Sequence, residues 1–210
     1  MIEYNKIETL YERDIEGTKR LIEGQYRNET VEFLKDVPWE FTEKIDGTNI
    51  RIHWDGHKVN YGGRTERANI PAHLMNYLIS VFGTNEAEEL FEQTFGEKEA
   101  ILFGEGYGVK IQNGGLYRDD VSFILFDVMI GSNYQPRSTV NGLAQAFGID
   151  AVPVLFTGTL QEGVDFIKQK PKSTIGKADM EGLVARPKME LKDRCGNRII
   201  VKIKVKDFAV

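Results

Sequence analysis

Lys44 is the residue with the clearest capacity for chemistry. It stands in Glu43-Lys44-Ile45-Asp46-Gly47-Thr48-Asn49, beside an Asp-Gly turn signal and between two runs that read as strands. An amine held at a strand end, partly desolvated or set among other cations, is a nucleophile for a carbonyl carbon or a phosphorus atom. The alternative is a surface lysine before an ordinary turn, and Lys-x-Asp-Gly by itself does not decide between the two. Other residues along the chain bear on the choice. Lys202 and Lys204 alternate with Val201, Ile203 and Val205, so strand geometry sets both ammonium groups on one face. Side by side they repel, which suits a place where an anion sits between them. Glu105 lies in Phe103-Gly104-Glu105-Gly106, a strand end whose glycines let a ligand or another backbone come close. Arg64 follows Gly62-Gly63, a forked cation where backbone can approach a ligand. Glu181 opens a further apolar run.

Other chemistries find no support. His53, His57 and His73 do not form a zinc spacing with Cys195, and no Ser/His/Asp or Cys/His nucleophile pattern stands out. There is no Gly-x4-Gly-Lys-Ser/Thr loop, and the glycines near Glu105 have the wrong spacing for a dinucleotide fingerprint.

These residues need a sheet to hold them. Trp39 and Phe41, then Ile50, Ile52 and Trp54, alternate with polar residues, predicting half-buried strands on either side of Asp46-Gly47. With Ile50, Ile52 and Trp54 inward, Asn49, Arg51 and His53 face the other way. Asp55-Gly56 predicts a hairpin returning through Lys58 to Gly63. Residues 101–108, 123–128, 152–156, 181–186 and 198–205 read as further strands. Residues 71–82, 87–95, 138–147 and 160–168 read as helices. Leu21, Ile22, Tyr26, Val31 and Leu34 suggest one or two short helices within residues 1–36, an accessory segment packed on the main body.

The 210 residues are enough for one domain over the whole length. A single cysteine, Cys195, in a polar turn points to a reducing compartment. The N-terminus lacks a basic-then-apolar leader, and the longest apolar run, interrupted by Asp127, is too short to span a bilayer. A cytoplasmic protein is expected (host cytoplasm for a viral source), monomeric and with no membrane partner. The net charge of -5 argues against indiscriminate nucleic-acid binding. It is unevenly placed: residues 1–43 hold 6 Lys/Arg against 11 Asp/Glu, and residues 168–210 hold 12 against 5. The basic end is compatible with a phosphate-rich partner or with a solvated face.

Taken in order, Lys44-Ile45-Asp46-Gly47, Phe103-Gly104-Glu105-Gly106, residues 123–127, residues 181–186 and Lys202-Ile203-Lys204 resemble motifs I, III, IIIa, IV and V of the covalent nucleotidyltransferases. That superfamily comprises DNA ligases, RNA ligases and mRNA capping enzymes. Asn49 in Lys-x-Asp-Gly-Thr-Asn, with Arg64 twenty residues after the lysine, looks most like the RNA ligase 2-like branch, many of whose members have His where Asp46 stands. The resemblance implies an α+β fold in which antiparallel sheets form a nucleotidyltransferase (ATP-grasp-like ligase) cleft with peripheral helices.

It also implies roles. Lys44 would attack the α-phosphate of ATP and carry AMP, and Lys202 and Lys204 would bind phosphate oxygens. Arg64 and Glu105 would contact ribose or donor phosphate, with Asn49 nearby and Glu43 and Ile45 in the nucleotide-binding set. Phe123 would stack on adenine, and Glu181 would help place Mg²⁺ or Mn²⁺. The substrates implied are 5′-phosphate and 3′-hydroxyl ends or nicks in RNA, in DNA or in a hybrid of the two. The alternatives are an ATP-dependent DNA ligase and an idle nucleotide- or RNA-end-binding module. With six residues following Lys204, no C-terminal OB-fold or helical domain is expected in these 210 residues, and the orientation of pyrophosphate is left open.

Overall fold

Residues 2–208 are described by the structure, a computed structural model. In chain order the elements are β1 (Glu8–Thr9), β2 (Tyr11–Arg13), β3 (Leu21–Tyr26), α1 (Glu29–Phe33), β4 (Trp39–Lys44), β5 (Thr48–Trp54), β6 (Val59–Gly62), α2 (Ala72–Phe82), α3 (Asn85–Phe95), β7 (Ala100–Gly108), β8 (Val121–Ile130), β9 (Asn133–Tyr134), α4 (Arg137–Phe147), β10 (Asp150–Ala151), β11 (Val154–Gly158), α5 (Leu160–Lys168), β12 (Gly182–Pro187) and β13 (Val201–Lys204). The described chain divides into two compact units, one of residues 2–5 and 46–152, the other of residues 6–45 and 153–208. The expected α+β class with mainly antiparallel sheets is what the chain adopts.

The unit of residues 46–152 is built on a six-stranded sheet, β10-β8-β7-β5-β6 with β9 beside β8. Ile50, Ile52 and Trp54 all point to one face, as their alternation predicts, and pack with Leu74, Leu78 and Phe82 of α2, Phe91 of α3 and Val140 of α4. The Asp55-Gly56 hairpin forms: Trp54 pairs with Val59, and Gly56 takes a φ of +98° that a side chain would resist. On the opposite face Arg51 is fully buried. It donates through Nε to the Gly63 carbonyl at 2.6 Å and through Nη1 to the Ile2 carbonyl at 2.9 Å, so it holds the loop that carries Arg64 and the N-terminal strap. Tyr4 of that strap donates to Asp127 Oδ2 at 3.0 Å.

The second unit is built on a five-stranded sheet, β1-β13-β12-β4-β11. One face carries Trp39, Phe41, Leu183, Ala185, Val201 and Ile203 against Leu160, Val164 and Ile167 of α5. The helix starts at a capping box in which Thr159 and Glu162 satisfy each other's backbone N–H groups. It sits close because Gly163 meets the Phe41 ring, where a Cβ would lie 2.3 Å from Cε1.

One expectation is corrected. Residues 2–36 form three short strands and one short helix. Leu10, Tyr11 and Val31 are buried in the core of the second unit, whereas Ile15, Ile22 and Phe33 are exposed. Leu21 and Tyr26 sit at the two ends of β3, and the residues between them are exposed, so their spacing was not a helical stripe. Strands do flank Asp46-Gly47 as expected, and β4 and β5 on either side of it join different sheets. Among the described residues no helix is long and apolar enough to cross a membrane.

Candidate functional site

Three neighbouring strands of the second unit place the lysines. Gly182 of β12 pairs with Lys44 of β4 on one side and Lys204 of β13 on the other, while Val184 pairs with Thr42 and Lys202. Paired residues share a face, so Lys44, Lys202 and Lys204 stand together on the face opposite the α5 core. Gly182 leaves the position between Lys44 and Lys204 without a side chain. A Cβ there would lie 2.3 Å from the Ile203 carbonyl oxygen.

Glu181, immediately before β12, reaches both ends of that row. Its Oε2 accepts from Lys44 Nζ at 2.6 Å and its Oε1 from Lys204 Nζ at 2.6 Å. Burial opposes the charge on this carboxyl, yet Lys44 and Lys204 hold it below the usual carboxylate range. Its own carbonyl accepts from Val205 N at 3.0 Å, fixing the backbone beside β13. Lys202 has no ion pair or hydrogen bond from its side chain among the described residues. Burial, then Lys204 and Lys44 alongside it, hold its ammonium below the ordinary lysine range.

Glu43 departs from expectation. Along β4, Trp39, Phe41 and Glu43 fall on one face and Lys44 on the other. Glu43 is only 2% exposed, and its oxygens are taken by Ser173 Oγ at 2.5 Å, Thr174 N at 2.9 Å and Thr174 Oγ1 at 2.5 Å. That carboxylate is committed to Ser173 and Thr174 on the core side of β4, whereas the resemblance implies a place in the nucleotide-binding set. Ile45, next to Lys44, is buried.

The remaining predicted residues lie in the other unit. Asn49 pairs with Glu105 across β5 and β7, and Glu105 pairs with Ile124 across β7 and β8, making one row on the face opposite the core. Asn49 Oδ1 is buried with no hydrogen-bond partner. Arg64 is exposed on its loop. Gly47 passes close beneath this row, since a Cβ there would lie 2.3 Å from the Gly106 carbonyl oxygen and 2.9 Å from Glu105 Cγ.

Phe123 is corrected. Its ring is fully buried among core side chains, edge-on to Phe82 at 5.6 Å. It has no open face on which a base could stack. One residue on, Ile124 takes the face that Glu105 shares. The glycines of Phe103-Gly104-Glu105-Gly106 serve the same packing: a Cβ on Gly104 would lie 2.2 Å from Phe123 Cζ, and one on Gly106 2.5 Å from Leu74 Cδ2. They admit core side chains, not a ligand. Sequence reasoning also missed Gly182, Ser173 and Thr174. For Glu43 the signal was present, because the alternation of Trp39 and Phe41 continues to it.

The RNA ligase family matches residues 37–204. Comparison with curated protein sequences finds no match. Among solved structures, an apo mutant of Naegleria gruberi RNA ligase is similar at 19% identity with a TM-score of 0.68, covering 99% of this chain and 57% of that one. A mutant of the same protein with ATP and Mn gives 17% identity and a TM-score of 0.68, covering 97% and 56%. The same ligase with PPi gives 19% and 0.62, covering 83% and 51%. The chain thus spans little more than half the length of these solved relatives, and at such identity the likeness is one of fold.

Proposed function

This chain belongs to the RNA ligase family, and from that membership we propose that it is the adenylyltransferase part of an ATP-dependent RNA ligase. The observation that carries the reading is the shared carboxylate of Glu181, 2.6 Å from both Lys44 and Lys204, with Lys202 on the same face. One amine able to become a nucleophile is thereby held among cations suited to a polyphosphate.

In the first step Lys44 Nζ, after losing a proton, attacks the α-phosphorus of ATP. A P–N bond forms and the P–O bond to pyrophosphate breaks, with Lys202 and Lys204 binding phosphate oxygens as charge shifts to the leaving group. In the second step a 5′-phosphate oxygen attacks the same phosphorus, the P–N bond breaks and Lys44 regains its proton. In the third a 3′-hydroxyl attacks the capped 5′-phosphorus, a phosphodiester forms and AMP leaves. Asn49, Arg64 and Glu105 keep the nucleotide-binding roles that the resemblance gives them. Support for ATP and a divalent metal comes from the Naegleria ligase, solved with ATP and Mn.

No group of three or more ligating residues occurs among the described residues. The residues therefore fit Mg²⁺ or Mn²⁺ only in the sparse manner in which one carboxylate and substrate phosphates hold the ion, and Glu181 would be that carboxylate. Such an ion supplies positive charge to the phosphates. The polynucleotide substrate is RNA with 5′-phosphate and 3′-hydroxyl ends, as the family implies.

Protein incubated with labelled ATP and MnCl₂ is expected to gain one adenylate, seen by intact mass, and Lys44→Ala to gain none. Nucleotide binding without an adduct in the unaltered protein would refute the reading.

A further inference from the structure

Glu43 is a buried carboxylate that the adenylylation steps do not use. Its neighbours lie in the hairpin of residues 171–180, which closes through Met180 N to the Pro171 carbonyl at 3.1 Å and Ser173 N to the Ala178 carbonyl at 3.0 Å. Lys172 and Asp179 pair across it. The hairpin turns through Gly176 at a φ of +63°. Ser173 Oγ accepts from Ile175 N at 3.0 Å while donating to Glu43. Thr174 adds its amide and its hydroxyl. Three donors converge on one carboxylate, and the last residue of the hairpin, Met180, is buried in the core directly before Glu181.

Hydrogen bonds to an ionised acceptor are stronger than neutral ones, and in a site where distances matter they fix more than the loop itself. Glu43 is covalently next to Lys44. Its partner across β12 is Leu183, two residues past Glu181. One side chain thus ties the strand of the proposed nucleophile to the segment that delivers the carboxylate paired with it.

We propose that Glu43 is a positioning residue which, through Ser173 and Thr174, sets where Glu181 stands relative to Lys44 and Lys204. The proposal rests on the adenylylation reading for its catalytic consequence. The anchoring itself does not depend on it.

Three variants test it: Glu43→Gln, Glu43→Ala, and Ser173→Ala with Thr174→Val. The last pair is at the surface end of the contact and serves where a change at Glu43 fails to fold. Single-turnover adduct formation with ATP and Mn²⁺ is expected to slow about 100-fold in Glu43→Ala and in the Ser173/Thr174 variant, with little change in the ATP concentration giving half the maximal rate, because misplacement of about 1 Å costs that much. Glu43→Gln, which keeps an acceptor oxygen, recovers part of the rate. Combining Glu43→Ala with the Ser173/Thr174 changes adds little further loss, as for groups acting as a unit. A normal rate in the Ser173/Thr174 variant, or a Glu43→Ala defect confined to ATP affinity, would overturn the proposal. Should the unaltered protein form no adduct, the proposed function fails, and amide exchange judges the anchor. Faster exchange at residues 172–181 in Glu43→Gln supports it, and unchanged exchange overturns it.

Discussion

Gly182→Ala is the smallest change that should damage the candidate site without touching a charged group. The added Cβ would lie 2.3 Å from the Ile203 carbonyl oxygen and 2.9 Å from Lys204 Cα. Both are backbone atoms, so no side chain can swing aside. Bringing the first contact out to the 3.4 Å at which ordinary van der Waals contact begins moves β13 away from β12 by about 1 Å. Overpacking of this kind costs about 1–3 kcal/mol, which for a chain of this size lowers Tm by roughly 2–4 °C per kcal/mol. The functional cost should be larger than the loss of stability suggests. Gly182 sits in register between Lys44 and Lys204, and Glu181 holds both at 2.6 Å. An added ångström takes the Lys204 contact beyond hydrogen-bond reach, and displacement on that scale slows a positioned reaction about 100-fold. The measurements are a urea melt and the single-turnover rate of Lys44 adduct formation by intact mass, taken well below either melting temperature. A variant destabilised by the stated amount yet adenylylated at the normal rate would show that strand spacing at Gly182 does not set the reactive geometry.

Two further outcomes follow from particular side chains. Lys202 has its ammonium held below the ordinary lysine range by burial and by Lys204, Lys44 and Lys6, against the opposing pull of Glu8. Above its folded pKa and up to about 10.4 the unfolded chain binds more protons, so stability contributed there rises with pH, and the penalty is complete below that window. Lys202→Met is therefore expected to melt higher than the unaltered protein at pH 7, with the gap narrowing towards pH 10, while adduct formation drops about 100- to 1,000-fold as for a lost oxyanion donor; a lower Tm at pH 7 would count against it. Phe123→Ala should cost about 3–5 kcal/mol as a core deletion. Phe123→Leu, checked by ATP titration below its melting temperature, should leave nucleotide affinity unchanged, and a selective loss of affinity with normal stability would restore a stacking role.

How far the sequence was legible follows from which signals are local. Alternation placed Ile50, Ile52 and Trp54 in the core and put Lys202 and Lys204 on the face away from Val201 and Ile203. The same rule, applied one residue further, puts Glu43 with Trp39 and Phe41. The motif around Lys44 drew the reading of Glu43 towards ligand binding instead. Phe123 was misplaced for a related reason. Residues 121–130 are almost continuously buried, so both faces of β8 read as apolar and periodicity cannot choose between Phe123 and Ile124. The choice is made by Gly104 and Gly106 of β7, which open space on one face only. Asp46-Gly47 signals a reversal but not a partner. Lys44 meets Glu181 across 137 positions of sequence, a pairing that no local turn encodes. The two-stranded β2–β3 ribbon was unreadable because only its ends are covered.

The charge distribution acquires meaning once the strand order is known. Over its whole length the chain carries -5, which by itself discourages a polyanionic ligand. Exposed charges farther apart than about 8 Å are largely screened at physiological ionic strength, so the field at the site is set by its neighbours. The sheet order β13-β12-β4 brings Lys44, directly after the acidic N-terminal segment, beside two lysines from the basic C-terminal segment. Two of these three lysines, Lys44 and Lys204, then share one carboxylate, with Lys202 on the same face. Glu181 offsets part of that positive charge in the ligand-free protein, leaving Lys202 without an ionic partner. A triphosphate carries more negative charge than one carboxylate, and on the proposed reading it would engage Lys202 as well as Lys204. In the proposed reaction, binding it would exchange an incomplete neutralisation for a fuller one and relieve the repulsion that Lys204 and Lys44 exert on Lys202.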